Sequence, residues 1–111
     1  MVASDLEMDA LASDSRKVIQ HEGFCILVCN TGGVHYAIEN RCTHQDTSLD
    51  EGRIRNGFIA CPLHGVRFDL KTGQPRGDLT RIPVQTFAVK QTGDRLLVQM
   101  HKADPHNEAT T

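Results

Sequence analysis

Arg41-Cys42-Thr43-His44-Gln45 and Ala60-Cys61-Pro62-Leu63-His64-Gly65 are two short stretches with one inventory: each holds one thiol and one imidazole, two or three positions apart. Between them lies Asn56-Gly57, a pair that tolerates the positive φ of a type I′ turn. It reads as a hairpin joining Arg53-Ile54-Arg55 to Phe58-Ile59-Ala60. A hairpin there returns the chain on itself and brings two loops to one end of a sheet. Cys42 follows a strand ending near Ile38, and Cys61 follows one ending at Ala60. Cys42, His44, Cys61 and His64 are therefore candidate metal ligands.

Working outward, strand signals dominate from about Ser15. Glu22-Gly23 reads as a turn between Arg16-Lys17-Val18-Ile19-Gln20 and the apolar run from Phe24 to Cys29. Asn30-Thr31-Gly32-Gly33 turns the chain into Val34-His35-Tyr36-Ala37-Ile38, which alternates like a half-buried strand. Thr92-Gly93-Asp94 separates Val84–Lys90 from Arg95–Gln99. Short strands with frequent turn chemistry indicate an all-β sandwich or barrel. Ser4-Asp5-Leu6-Glu7 has the form of a capping box, which allows a helical turn, yet few apolar residues are there to hold one down. The tail after Met100 is polar and expected to fray.

With 111 residues, the chain is expected to be one domain. Apolar residues make up 39% and charged ones 23%, a balance that can bury a core. A formal net charge of −2 with no basic stripe disfavours a nucleic-acid partner. Aromatic residues are 5% without Trp, so base-stacking platforms are scarce too. The N-terminus lacks the basic and apolar regions of a secretory signal, and no apolar run is long enough to span a bilayer. The expected localisation is cytoplasmic, with no membrane partner.

The remaining cysteines and histidines have plainer readings. Were Phe24–Cys29 a strand, the Cα atoms of Cys25 and Cys29 would stand roughly 13 Å apart, beyond disulfide reach. Both read as small buried apolar residues. His21, His35, His101 and His106 read as solvated or ordinarily packed. Asp46, Asp50 and Glu51 form an acidic run that could steer a basic partner but reads better as a solvated loop. No Ser-His-Asp set, phosphate loop or paired-carboxylate arrangement stands out, and nothing resembles a two-histidine, one-carboxylate iron site.

Structural zinc domains usually pair Cys with Cys and His with His. Here each stretch gives one of each, and a single residue separates Cys42 from His44, an unusual bite for one metal. A binuclear cluster removes the difficulty, with both cysteines on one iron and both histidines on the other. Residues 41 to 73 resemble the cluster-binding part of Rieske-type ferredoxins in Arg41-Cys42-Thr43-His44-Gln45-Asp46-Thr47-Ser48-Leu49 and in Cys61-Pro62-Leu63-His64-Gly65-Val66-Arg67-Phe68-Asp69, followed by Thr72-Gly73. The resemblance implies the Rieske fold. Its antiparallel sandwich or barrel-like base would span about 1–40 and 76–100, with a small cluster-binding subdomain of two loops at about 41–75 and the polar tail at 101–111. It also implies one [2Fe-2S] cluster held by Cys42, His44, Cys61 and His64, with Pro62 and Gly65 shaping the second loop. Gly65 would let the backbone approach the sulfides.

The function implied is electron carriage, without catalysis, between a flavin-dependent ferredoxin reductase that oxidises NAD(P)H and a terminal ring-hydroxylating oxygenase with its own Rieske centre. A chain ending at Thr111 is not expected to carry the catalytic domain of such an oxygenase. Two other readings stay open: the small Rieske-like subunit of an assimilatory nitrite reductase, whose members often lack a full ligand set, and a zinc-stabilised binding module without redox function.

The respiratory branch of this family would require cysteines at Thr47 and Leu63 for a loop–loop disulfide, and hydroxyls at Val66 and Phe68. This chain has none of the four. Hydrogen bonds to sulfur stabilise the charge added on reduction, so their absence lowers the potential. A redox titration should give a value on the order of −150 mV, not +300 mV; a strongly positive potential would overturn this.

Overall fold

The computed structural model describes residues 4–43, 47–63, 65–77 and 79–100. Among them the secondary structure is ten strands and no helix, in two antiparallel sheets. The larger sheet contains β1 (Leu6–Asp9), β2 (Arg16–His21), β3 (Phe24–Thr31), β4 (Val34–Glu39), β9 (Thr86–Thr92) and β10 (Arg95–Gln99). Its order is β1-β10-β9-β4-β3-β2. The smaller sheet runs in sequence order through β5 (Ile54–Arg55), β6 (Phe58–Ala60), β7 (Arg67–Asp69) and β8 (Pro75–Arg76). This is the all-β architecture expected, with a second sheet beneath the two loops.

The larger sheet has to curl. Its edge strands, β1 and β2, are consecutive in sequence, yet a flat six-stranded sheet would hold its edges about 24 Å apart. The link between them contains a turn, with Ser15 N–H donating to Ala12 O (3.2 Å) and Asp14 at φ 59°, so it cannot span that distance. The curled sheet is nearly closed, and Asn30 seals the seam by donating Nδ2 to Leu11 O (2.9 Å) while its N–H reaches Ser15 O (2.9 Å).

Closure makes β3 a wall between two cores. Ile26 and Val28 point into the barrel, with Met8, Ala37, Phe87, Leu96, Val98 and Met100. Leu27 and Cys29, alternating with them, point to a second cluster shared with the small sheet. Five consecutive buried residues in one strand follow from that two-sided packing. Each fully buried Leu or Ile contributes about 1.5–3 kcal/mol.

The expected turns form where the left-handed conformation is tolerated. Glu22 and Gly23, Gly32 and Gly33, and Asn56 and Gly57 all have positive φ in pairs. The turn expected over Asn30-Thr31-Gly32-Gly33 is narrower, because Asn30 and Thr31 belong to β3.

Two expectations need correction. The capping-box segment is no helical turn: Leu6–Asp9 is a strand paired with β10, Leu6 opposite Val98 and Met8 opposite Leu96. Met8 enters the barrel core, and tertiary burial overrides the local signal. The last hairpin's first strand begins at Thr86, not Val84. Val84 N–H instead donates to Gly73 O (3.0 Å) and its side chain joins the inter-sheet cluster. Gly73 has to be glycine, since a Cβ there would run into the Val84 carbonyl and φ is +79°. The tail, 101–111, lies outside the described residues.

Candidate metal centre

Both candidate cysteines sit at the inner end of a loop and are closed off by the same backbone device. Cys42 N–H donates to Thr47 O (2.6 Å), and Cys61 N–H donates to Val66 O (2.7 Å). Each bond spans five residues, so each cysteine opens a loop of equal length. Both side chains are shut away from solvent, Cys42 at 0% exposed and Cys61 at 2%, in the same cluster as Leu49, Ile59, Phe68 and Val84. Neither is in a disulfide. His44 and His64 lie outside the described residues, as does Asp46. Among the described residues no three His, Cys, Asp or Glu side chains gather as a metal-holding group. What is described fits the sulfur half of a two-cysteine, two-histidine centre: two buried, non-disulfide thiols at the feet of matched loops.

The first loop is held by a residue that sequence reasoning passed over. Asn40 is buried and every polar atom of its carboxamide is used. Its Oδ1 accepts from Leu49 N–H (2.8 Å), and its Nδ2 donates to Asp50 Oδ1 (3.2 Å) and, more weakly, to Cys25 Sγ (3.7 Å). Its own N–H donates to Cys25 O (2.9 Å). One side chain thus ties the entry of the loop to its exit and to β3. Arg16, from β2, completes the tie by donating Nη1 to Asp50 O (2.8 Å) and Gly52 O (2.6 Å). Gly52 lies so close to the second motif that a Cβ would overlap the Ala60 carbonyl, one residue before Cys61. Asparagine after a strand is a common turn residue, and nothing in the sequence alone marked it as a clasp.

The second loop turns at Gly65, whose N–H donates to Cys61 O (3.0 Å). The reason for glycine is its φ of +75°; a Cβ there would meet nothing within 4 Å, so close approach to described residues is not what demands it. A third segment abuts the first loop through Thr43. Thr43 Oγ1 donates to Ile82 O (2.6 Å), pairs with Thr80 Oγ1 (3.2 Å), and Ile82 N–H donates to Thr80 Oγ1 (3.1 Å). Leu63, Leu79 and Ile82 are exposed by 57%, 51% and 62%, although large and apolar.

The other candidates resolve by position. Cys29 shares the inter-sheet cluster, but burial pushes its thiol above the ordinary range, against smaller opposing effects from Arg16 and a Tyr36 backbone hydrogen bond. It stays a protonated thiol, as expected of a buried apolar residue. Cys25 is only half-buried, which corrects that expectation for it, and its sulfur accepts the weak bond from Asn40. His21 bonds Ser4 O through Nε2 (2.7 Å), and His35 Nε2 accepts from Leu11 N–H (3.0 Å). Both are structural. Asp50 serves the Asn40 clasp, while Glu51 is exposed. His101 and His106 lie outside the described residues.

Val66 and Phe68, the positions without hydroxyls, are both buried in the cluster that holds the two cysteines. The small sheet also gathers Arg53, Arg55, Arg67 and Arg76 on one exposed face. No basic stripe was expected, since these residues come from three separate stretches. The signal available was the alternation Arg53-Ile54-Arg55 before an Asn-Gly turn.

The chain belongs to the Rieske [2Fe-2S] domain family, whose description matches residues 1–88. It is 39% identical over 75 residues to the ferredoxin component of biphenyl 2,3-dioxygenase from Rhodococcus jostii strain RHA1, covering 68% of this chain and 70% of that one. It is 33% identical over 105 residues to the ferredoxin subunit of 3-phenylpropionate/cinnamic acid dioxygenase from Escherichia coli K12, covering 94% and 92%. A chain in the solved complex of reduced oxygenase and oxidized ferredoxin of carbazole 1,9a-dioxygenase superposes with a TM-score of 0.82 at 28% identity, covering 90% of this chain and 96% of that one. These relatives are electron-transfer components, not catalysts. No helix among the described residues is long and apolar enough to cross a membrane.

Asn40→Ala should leave the buried Leu49 N–H without an acceptor and lower the unfolding free energy by about 1–3 kcal/mol, read by guanidinium titration. A change of a few tenths would show that the clasp contributes little.

Proposed function

We propose that this protein is a one-electron carrier that takes electrons from an NAD(P)H-dependent flavin reductase and delivers them to a terminal ring-hydroxylating oxygenase, in the cytoplasm. Cys42 and Cys61 hold one iron of a single Rieske cluster, and His44 and His64 hold the other. When bound, such a cluster stores one electron at a time, cycling between all-ferric and mixed-valence states. The observation that carries this reading is the pair of matched loops, each opening on a buried cysteine outside any disulfide. The ferredoxin names and coverage of its relatives support the assignment to an oxygenase system.

The chain's own residues set the conditions at the site. Leu49, Ile59, Phe68 and Val84 keep water from the two thiols, and low dielectric there strengthens every local charge interaction. The side chains of Val66 and Phe68 have no hydroxyl to donate toward sulfur, so added negative charge would be less stabilised than a hydroxyl pair would make it. Asn40, Arg16 and the Thr43–Ile82 link fix the loops, so little rearrangement accompanies electron uptake. Residues about 41–75 form the cluster-binding subdomain, and the curled sheet forms its base. The exposed Leu63, next in sequence to His64, with Leu79 and Ile82, supplies an apolar contact for a partner.

The purified protein should be red-brown, contain iron and acid-labile sulfide in equal amounts, and give a rhombic EPR signal on reduction; a colourless, EPR-silent protein holding zinc would end this reading. Leu63→Asp should slow electron delivery to the oxygenase by about tenfold, the scale of a lost apolar anchor, and leave the visible spectrum unchanged. Unaltered kinetics would remove Leu63 from the contact.

A further inference from the structure

Four guanidinium groups on the outer face of the small sheet have no counter-charge among the described residues. Arg53, Arg55, Arg67 and Arg76 are exposed and line a cleft of about 470 Å³ with Phe58 and Ala60. Strand alternation produces it: Ile54, Ile59 and Phe68 turn to the core, which leaves their neighbours facing out. Register sets Arg67 directly opposite Arg76, a like-charge pair that opposes strand pairing. Arg76 lies over the Phe58 ring, 5.2 Å from its centroid, which holds one guanidinium across the cleft.

Among the described residues, no carboxylate comes within ion-pair distance of any of the four. The acid that shares this face in register, Asp69 opposite Phe58, directs Oδ1 to the N–H groups of Lys71 (2.8 Å) and Thr72 (3.3 Å). A chain of formal net charge −2 thus places four of its twelve Lys and Arg side chains on one small sheet, with no described carboxylate paired to them. Guanidinium groups in that state suit carboxylates, which they bind in two-pronged fashion.

The cleft also adjoins the second ligand loop. Ala60 immediately precedes Cys61, and Arg67 follows Val66, whose carbonyl closes that loop. A cluster held in part by Cys61 would become more negative by one charge on reduction, at the end of the sheet that carries the arginines, and would weaken their hold on an acidic surface. Such a face grips best when the carrier is empty and lets go once it is loaded. That is the behaviour required toward the donor, and the reverse of what the acceptor needs.

We propose that the arginine cleft is the docking face for a carboxylate-rich surface on the flavin reductase that loads this protein. The inference rests on the carrier reading above. The test is stopped-flow reduction of the cluster-loaded protein by the NAD(P)H-driven flavin reductase of its source organism, across a range of ionic strength, beside discharge to the oxygenase. The variant Arg53→Gln/Arg55→Gln/Arg67→Gln should load about tenfold more slowly at low salt and lose most of the salt dependence. Its EPR signal and discharge rate should stay those of the parent. The matching triple Arg→Lys protein, which keeps the charge, should retain the salt dependence.

Unchanged loading by the Gln variant, or slowing confined to discharge, would overturn the donor assignment while leaving the carrier reading intact. Binding of inorganic pyrophosphate that the Gln variant loses, with loading unaffected, would overturn it in favour of a small-anion site. A parent protein that no flavin reductase loads would remove both the carrier reading and this inference.

Discussion

Everything in this molecule depends on one strand being buried on both sides. β3 sends Ile26 and Val28 into the barrel and Leu27 and Cys29 toward the small sheet. Because alternate residues serve different cores, the barrel and the ligand loops share a backbone instead of meeting across a flexible linker. Asn40 bonds directly to that strand through the Cys25 carbonyl, so the first loop inherits the rigidity of the barrel wall. The second loop gains the same footing through Ile59 and Phe68, packed in the cluster that Leu27 enters.

Much of this was legible in the residues themselves. The hairpins at Glu22-Gly23 and Asn56-Gly57 form where left-handed backbone was expected, and both cysteine motifs follow strands. What escaped notice has a common physical cause: it is settled by distant partners. Leu6–Asp9 becomes a strand because β10, nearly ninety residues later, offers it a ladder and a core for Met8. β7 and β8 are three and two residues long, too short to show periodicity, and exist because β6 and the Asp69–Gly73 turn hold them. Asn40 looked like a turn residue because its four bonds go to residues that only folding brings near. The arginine face was invisible for the same reason, being assembled from separate stretches by cross-strand register.

The ligand loops combine two opposed requirements. Thiolates need a dry, low-dielectric seat if water is to be kept from metal–sulfur bonds, yet burial alone favours the protonated thiol, as it does at Cys29. Cys42 and Cys61 differ from Cys29 in their backbone setting, not in their depth. Each opens a loop that its own N–H closes, whereas Cys29 lies inside a regular ladder opposite Tyr36 and Arg16. Position in a loop or a strand separates a candidate ligand from a packing residue among three cysteines in one cluster.

The pairing of β1 with β10 bears on the order of events during synthesis. Both cysteine loops leave the ribosome well before β9 and β10, and Val84, which roofs the cluster around the thiols, also arrives late. Until those segments emerge, the barrel wall lacks its partners and the sulfur atoms lie open to solvent and oxidants. Metal delivery to the nascent chain would find an unfinished pocket. Stable assembly of the centre therefore depends on the final hairpin as much as on the loops that carry the cysteines.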